Sequence, residues 1–222
     1  MTILARVYLV RHGETNENRN KIIQGQLDTS LNRLGREQAR LVGEALKSIP
    51  FEIAFSSDLS RAAKTAEAIL AHHPHLTLQK QVELRERHMG EMQGKVWRQG
   101  QQASGTDRTI ESAAFFAARA ETWWIKYILD GTAPLPENRE AFHILAVTHG
   151  GFIGTLVRSL VQGKKAVYAP GVVVERCLNS SVTIVEVNDG RQGVVIQGGD
   201  VSHLKGLEDG VETNVDDTAG QI

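Results

Sequence analysis

The chain has 222 residues, 41% hydrophobic and 23% charged, with 25 Lys and Arg against 26 Asp and Glu for a formal net charge of −1. This is ordinary globular composition in a length suited to one domain, and the balanced charge gives no global pull toward nucleic acid or an anionic membrane. A single cysteine, Cys177, excludes an intramolecular disulfide and any multi-cysteine metal site. No stretch approaches the roughly 18 apolar residues of a membrane span. The opening "MTILARVYLVRHG" lacks the apolar run and cleavage-like segment of a signal peptide, so a soluble, cytoplasmic protein is expected.

Val7–Val10 predicts a fully buried strand that runs directly into Arg11, His12 and Gly13. "LNRLGREQARLVGEALKSI" then carries Leu31, Leu34, Leu41, Val42, Ala45 and Ile49 at helical spacing, with Asn32 as N-cap and Pro50 closing the segment. A short strand, Phe51–Phe55, passes through Ser-Ser-Asp into a helix, where Asp58 is the expected cap and Arg61 lies in the first turn. "HHPHLTLQKQVEL" reads as a Pro-marked turn and a weak strand, its histidines solvated rather than metal-binding. Glu111 to Leu129 reads as one long helix with Phe115, Trp123 and Ile125 among its apolar positions; the adjacent Trp123 and Trp124 point to different sides, one at least into the core. "GTAPLPENRE" ends it.

"FHILAVTHGGFIGTLVRSLV" repeats the opening pattern of strand, His-Gly, helix. Val182–Val187 and Val194–Gln197 form a predicted hairpin around Asn188-Asp189-Gly190. Residues 1–205 are thus expected to form one domain, and 206–222, acidic and without aromatic residues, a mobile solvated tail. Strands alternating with helices imply a three-layer α/β/α sandwich with a mostly parallel central sheet.

In such sheets ligands bind beyond the carboxyl ends of the strands. His12, His149, Arg61 and Glu86 each follow a strand-like segment, so the fold can bring them together. Arginine offers a permanent charge and forked donors matched to phosphate oxygens. Helix N-termini after Gly13, Asp58 and Gly150 would add backbone N–H groups aimed at the same anion. The assembly suits phosphoryl transfer through a histidine nucleophile. His12 would attack phosphorus, and Arg11, Arg61 and His149 would hold the equatorial oxygens. Glu86 would protonate the leaving oxygen and later deprotonate water. No metal or other cofactor is called for, because the arginines supply the positive charge.

These residues also resemble a known family. "LVRHGETNEN" is similar to the Arg-His-Gly signature of the histidine phosphatase superfamily, with its phosphoglycerate mutase-like fold. "LNRLGREQA", "SSDLSRAAKTAEAI", "LRERHMGEMQG" and "VTHGG" follow in the family's order, to about His203. The resemblance implies that His12 is the phosphorylated nucleophile, Glu86 the proton donor, and Arg11, Arg61 and His149 the rest of the phosphate pocket. It implies that Asn18 contacts the phosphate, that Gln24 and Gly25 lie on the substrate-side loop, and that Gly150 borders the site; Asn179 also stands in a recurrent position. In "RTIES", Glu111, Ser112 and Arg119 align with family positions, but Arg108–Ile110 replace the usual glycines, which bears on the path of the loop at Thr106–Ile110.

The interval between Glu86 and that helix lacks the basic, Pro-rich insert of the mutases that use 2,3-bisphosphoglycerate. The phosphatase branch, with its fructose-bisphosphatase-like and broad-specificity members, is therefore the expected one. The expected partner is a small phosphorylated metabolite, a sugar phosphate or bisphosphate, and a homodimer is left open; nucleic acid and membrane are not expected. A phosphoglycerate mutase, a phosphoprotein phosphatase and an inactive interaction module are the alternatives. Arg61 pairing with Asp58, and Arg19, Lys21, Arg87 and Arg98 as scattered surface bases, are the bland readings beside these. His88 fits the pocket mouth and solvent equally well.

Overall fold

The structure, a computed structural model, describes residues 2–97, 108–131, 141–173 and 176–207. Arg98, Thr106, Asp107, the "GTAPLPENRE" segment after Gly131 and the tail from residue 208 lie outside the described residues.

Seven strands form one sheet: β1 (Ile3–Arg11), β2 (Ile53–Ser57), β3 (Leu78–Gln81), β4 (Phe142–Thr148), β5 (Ala166–Tyr168), β6 (Val182–Asn188) and β7 (Gly193–Asp200), in the order β3-β2-β4-β1-β6-β7-β5. β1, β2, β3 and β4 are mutually parallel, β5 is parallel to β7, and β6 runs antiparallel between β1 and β7. The antiparallel strand follows from the hairpin, whose short turn cannot return a parallel partner.

The central strands are buried on both faces, which is why "VYLV" and "ILAV" read as continuous apolar runs. Along β1, Ala5, Val7 and Leu9 face one core with Ile144, Ala146 and Val185, while Tyr8 and Val10 face the other with Leu145, Val147 and Val182. The first core is closed by α4 (Ala113–Trp123) and α5 (Gly150–Gln162), the second by α2 (Arg33–Leu46) and α3 (Ser60–Leu70). A one-turn helix, α1 (Asn16–Arg19), completes the set. The α/β/α sandwich with its mostly parallel sheet is therefore present.

Local chemistry departs from the sequence reading at four places. Asn32 caps α2 through Gly35 N–H at 2.8 Å, as expected, but Asp58 does not cap α3. Its carboxylate takes a two-point ion pair from Arg85, and Asp28, distant in sequence, accepts from Ser60 N–H at 2.6 Å. The predicted long helix is α-helical only to Trp123 and continues as π-helical turns over Trp124–Leu129. That widening lets both Trp123 and Trp124 lie in the core, while Phe115 is 66% exposed. Finally, His73 is buried edge-on against Phe51 rather than solvated, with His72 and His75 exposed on either side.

Candidate active site

The two strand–His–Gly patterns meet because their strands are neighbours in register. Arg11 of β1 pairs with Thr148 of β4, so the residues that follow emerge side by side. His12 N–H donates to Thr148 O at 3.0 Å, and the His12 and His149 rings lie with centroids 5.1 Å apart. β2 ends one strand further along the same edge, and Arg61 points back from the first turn of α3. Glu86 follows β3 after a 3₁₀ turn, Val82–Leu84, which Thr148 fastens by donating from Oγ1 to Leu84 O at 2.6 Å. Arg11, His12, Arg61, Glu86 and His149 are all buried at this carboxyl edge.

His12 Nδ1 lies 2.7 Å from Gly13 O. A carbonyl can only accept, so Nδ1 carries the proton and Nε2 presents a lone pair. Arg61 Nε donates toward that Nε2 at 3.3 Å. Burial, followed by the Arg61 and Arg11 charges, holds the His12 pKa well below the usual histidine value, and burial and Arg61 do the same to His149. Both imidazoles are therefore neutral at pH 7. A neutral His12 with an unprotonated Nε2 is a competent nucleophile.

The cations are fixed by backbone oxygens. Arg61 donates to Gly25 O at 2.8 Å and Leu27 O at 2.7 Å, with Thr29 Oγ1 at 3.3 Å, so residues 25–29 wrap the guanidinium. It makes no pair with Asp58, which Arg85 occupies. Arg11 Nη1 donates to Cys177 O at 2.5 Å. Both ring nitrogens of His149 are buried without a hydrogen-bond partner among the described residues. Native structures seldom leave such groups unmatched, and an oxyanion would accept from the one ring nitrogen that carries the proton.

Of Glu83, Glu86 and Glu91, only Glu86 is buried. One carboxylate oxygen accepts from Arg87 N–H and the other from Gly151 N–H, each at 2.8 Å. The N-terminus of α5 thus holds the carboxyl group of Glu86, not a free anion site as its sequence position after Gly150 implied. The N-terminus after Asp58 is likewise taken by Asp28. The one-turn α1 is closed on itself by a Thr15–Asn18 capping box.

Among the other expected site residues, Asn18 is buried, and its Oδ1 accepts from Thr15 N–H and, at 3.3 Å, from Asn179 Nδ2. Asn179 Nδ2 also lies 3.0 Å from His12 O, so the "NSS" asparagine is in the cluster. Gln24 is buried with Oε1 accepting from Thr15 and Thr29 hydroxyls, and Gly25 has φ +51°, with its carbonyl on Arg61. Gly150 opens α5 beside His149. His88 is half-buried, its Nδ1 2.9 Å from Thr109 O. Arg19 pairs with Glu14, and Arg87 Nε donates to Glu111 O.

Sequence reasoning missed the parts that hold the loop carrying His12. Gly13 N–H donates to Thr65 Oγ1, Glu14 N–H to Gln38 Oε1, and Gly13 and Gly35 touch so closely that a Cβ on Gly13 would lie 2.3 Å from Gly35 O. The signals were present in "LNRLGREQA" and "SRAAKT": Gly35 and Gln38 lie three apart on one helix face, and Thr65 lies one turn after Arg61.

The family model described as histidine phosphatase superfamily (branch 1) matches residues 7–198. The chain is 36% identical to phosphoglycerate mutase-like protein 4 of Arabidopsis thaliana over 213 residues, covering 90% of this chain and 87% of that protein. It is 31% identical to a broad-specificity phosphatase of Saccharomyces cerevisiae, covering 90% and 88% respectively. Among solved structures it resembles a phosphoglycerate mutase from Bacillus anthracis (TM-score 0.73, 27% identity, 91% of this chain and 96% of that one). It also resembles the mycobacterial glucosyl-3-phosphoglycerate phosphatase (TM-score 0.71, 25% identity, 89% and 99%).

Proposed function

From the premise that the chain belongs to the histidine phosphatase superfamily, we propose that this phosphoric monoester hydrolase cleaves small phosphorylated metabolites, sugar phosphates or bisphosphates, through a phosphohistidine on His12. The observation that carries the mechanism is the His12 tautomer: Nδ1–H is spent on Gly13 O, and the Nε2 lone pair faces the buried cation Arg61.

In the first half-reaction Nε2 attacks phosphorus in line, the P–O bond to the substrate breaks, and Glu86 gives its proton to the departing oxygen. Arg11 and Arg61 neutralise the equatorial oxygens, and a neutral His149 donates one N–H to them. In the second, the Glu86 carboxylate takes a proton from water as its oxygen attacks phosphorus. The P–N bond breaks, its electron pair returns to Nε2, and phosphate leaves. The arginines supply the charge neutralisation, so turnover is expected without added metal. Support for hydrolysis comes from relatives described as a metal-independent phosphoserine phosphatase, a broad-specificity phosphatase and a fructose-2,6-bisphosphatase.

The same first half-reaction would serve a mutase, which the phosphoglycerate mutase-like relative and neighbour favour. The readings differ in whether the phosphoryl group passes to water or back to an acceptor. Phosphate release, with chelator present, across a panel of sugar phosphates, bisphosphates and phosphoglycerates tests this for wild type and His12→Ala. Release by wild type alone is expected. Residual release by His12→Ala refutes the nucleophile, and isomerised phosphoglycerate without release establishes the mutase.

A further inference from the structure

We propose that Arg119 and Glu111 act as a clamp on residues 83–88 that positions the Glu86 carboxyl group at the reacting oxygen. The inference rests on the proton-transfer role given to Glu86 above. Arg119 lies on α4, away from the phosphate cations in sequence, and its side chain and that of Glu111 are 16% and 9% exposed.

A guanidinium has five N–H donors, and every one is engaged. Nη1 donates to Glu83 O at 2.7 Å and Arg85 O at 2.8 Å. Nη2 donates to Glu86 O at 3.3 Å and to Glu111 Oε2 at 2.8 Å, and Nε donates to Glu111 Oε1 at 3.0 Å. The three carbonyls come from the end of the 3₁₀ turn Val82–Leu84 and the residues after it, where chain carbonyls lack internal partners. A planar cation that gathers them fixes that backbone as no three-donor ammonium can. The guanidinium also lies 4.9 Å from the centroid of the Phe116 ring, one residue into the helix from Phe115.

Glu111 completes the grip on the far side of Glu86. Its Oε2 accepts from His88 N–H at 3.1 Å, its own N–H donates to His88 O at 2.9 Å, and its carbonyl accepts from Arg87 Nε at 2.8 Å. The backbone is therefore held at Glu83, Arg85 and Glu86 by Arg119 and at His88 by Glu111, whose carbonyl also takes the Arg87 side chain. Ser112, whose Oγ accepts Phe115 N–H, caps α4 immediately after Glu111 and makes the platform rigid. A carboxyl group that must reach one leaving oxygen gains from this, since a misplacement of about 1 Å costs on the order of 10²-fold in rate.

The test is steady-state kinetics of wild type, Arg119→Met, Glu111→Gln, Glu86→Gln and Arg119→Met/Glu86→Gln on an alkyl phosphate and on an activated aryl phosphate. Arg119→Met should lower kcat/KM, which reports the transfer to His12 before the common hydrolytic step, by roughly 30- to 100-fold on the alkyl ester and by only a few fold on the aryl ester. In the double variant Arg119→Met should add almost nothing to the Glu86→Gln loss, because both act through one carboxyl group. Equal losses on both esters, or full additivity with Glu86→Gln, overturn the clamp while leaving the acid assignment standing. If Glu86→Gln itself loses equally on both esters, the acid assignment falls and the clamp with it. Should Arg119→Met fail to fold, Glu111→Gln decides by the same comparison: a smaller loss confined to the alkyl ester supports the clamp, and no ester preference overturns it.

Discussion

Gly151→Ala is a one-methyl perturbation aimed at a single carboxylate. A Cβ at position 151 would lie 2.5 Å from Glu86 Oε1 and 2.9 Å from both Cδ and Oε2, whereas ordinary contact begins at 3.4 Å. The carboxylate, being the end of a flexible side chain, must retreat by about 0.9 Å, and the 2.8 Å bond from Gly151 N–H to Oε2 is lost or bent. A hydrogen bond to a charged group contributes about 1.5–3 kcal/mol, and a displacement near 1 Å costs on the order of 10²-fold in a positioned proton transfer. Alanine is also the better helix former, by roughly 1 kcal/mol, so the fold should be unharmed. The assay is kcat/KM across aryl and alkyl phosphates of graded leaving-group pKa. The plot of log rate against that pKa should steepen, with a loss of about 10² for alkyl esters and little for activated aryl esters, while Tm falls by a few degrees at most. A uniform loss, or wild-type activity throughout, would refute the claim that Glu86 works from the position the structure gives it.

Three further perturbations probe different parts of the account. Arg11 and Arg61 are both fully buried near one another, so inorganic phosphate should stabilise the chain; at 100 times its Kd the gain is about 2.7 kcal/mol, or roughly 5–10 °C in Tm for a chain of this size, and the shift should vanish in Arg61→Met. His12 and His149 have native pKa values held well below the unfolded value by burial and the neighbouring arginines. The unfolded chain therefore binds protons that the native state refuses, and stability falls as pH drops below about 6.5. Urea unfolding in phosphate-free buffer measures it, and His12→Ala should reduce the slope, the remainder coming from His149 and from His73 and His203, whose burial also lowers their pKa values. Gly35→Ala would place a Cβ 2.0 Å from the Glu14 carbonyl oxygen, a backbone atom that cannot swing aside, so destabilisation of about 1–3 kcal/mol or more is expected in the same titration.

The parts of the fold legible in the sequence were those written as local pattern. Two apolar runs each ending in His-Gly marked β1 and β4, and because parallel neighbours in register end together, the same pattern put His12 beside His149. Asn32 was readable as a cap because the N–H that donates to its Oδ1 lies three residues on. Asp58 offered the same local signal and was misleading: Arg85, a stronger partner, takes it, and Asp28 reaches the helix from a distant loop. His73 and Phe115 were misplaced for a related reason. A histidine beside a proline reads as solvated until Phe51 is packed against it, and an apolar residue in the first turn of α4 reads as core until the helix direction is known. The supports of the candidate site, Thr65, Gln38, Gln93 and Arg119, act through contacts between segments far apart in the chain. Gln93 illustrates this, since its Oε1 accepts from Gln26 N–H at 2.8 Å and ties the loop around Arg61 to the segment carrying Glu86.

The central claim is that the phosphoryl group passes through His12, and trapping that intermediate tests it most directly. The protein is mixed with a ³²P-labelled substrate, quenched within the turnover time into base, digested, and the labelled peptide sequenced. Because Nδ1–H is bonded to Gly13 O at 2.7 Å, the account predicts an acid-labile, base-stable phosphoramidate on Nε2 of His12. Label on Nδ1, label on another residue, or rapid turnover with inversion at phosphorus and no labelled protein would contradict it.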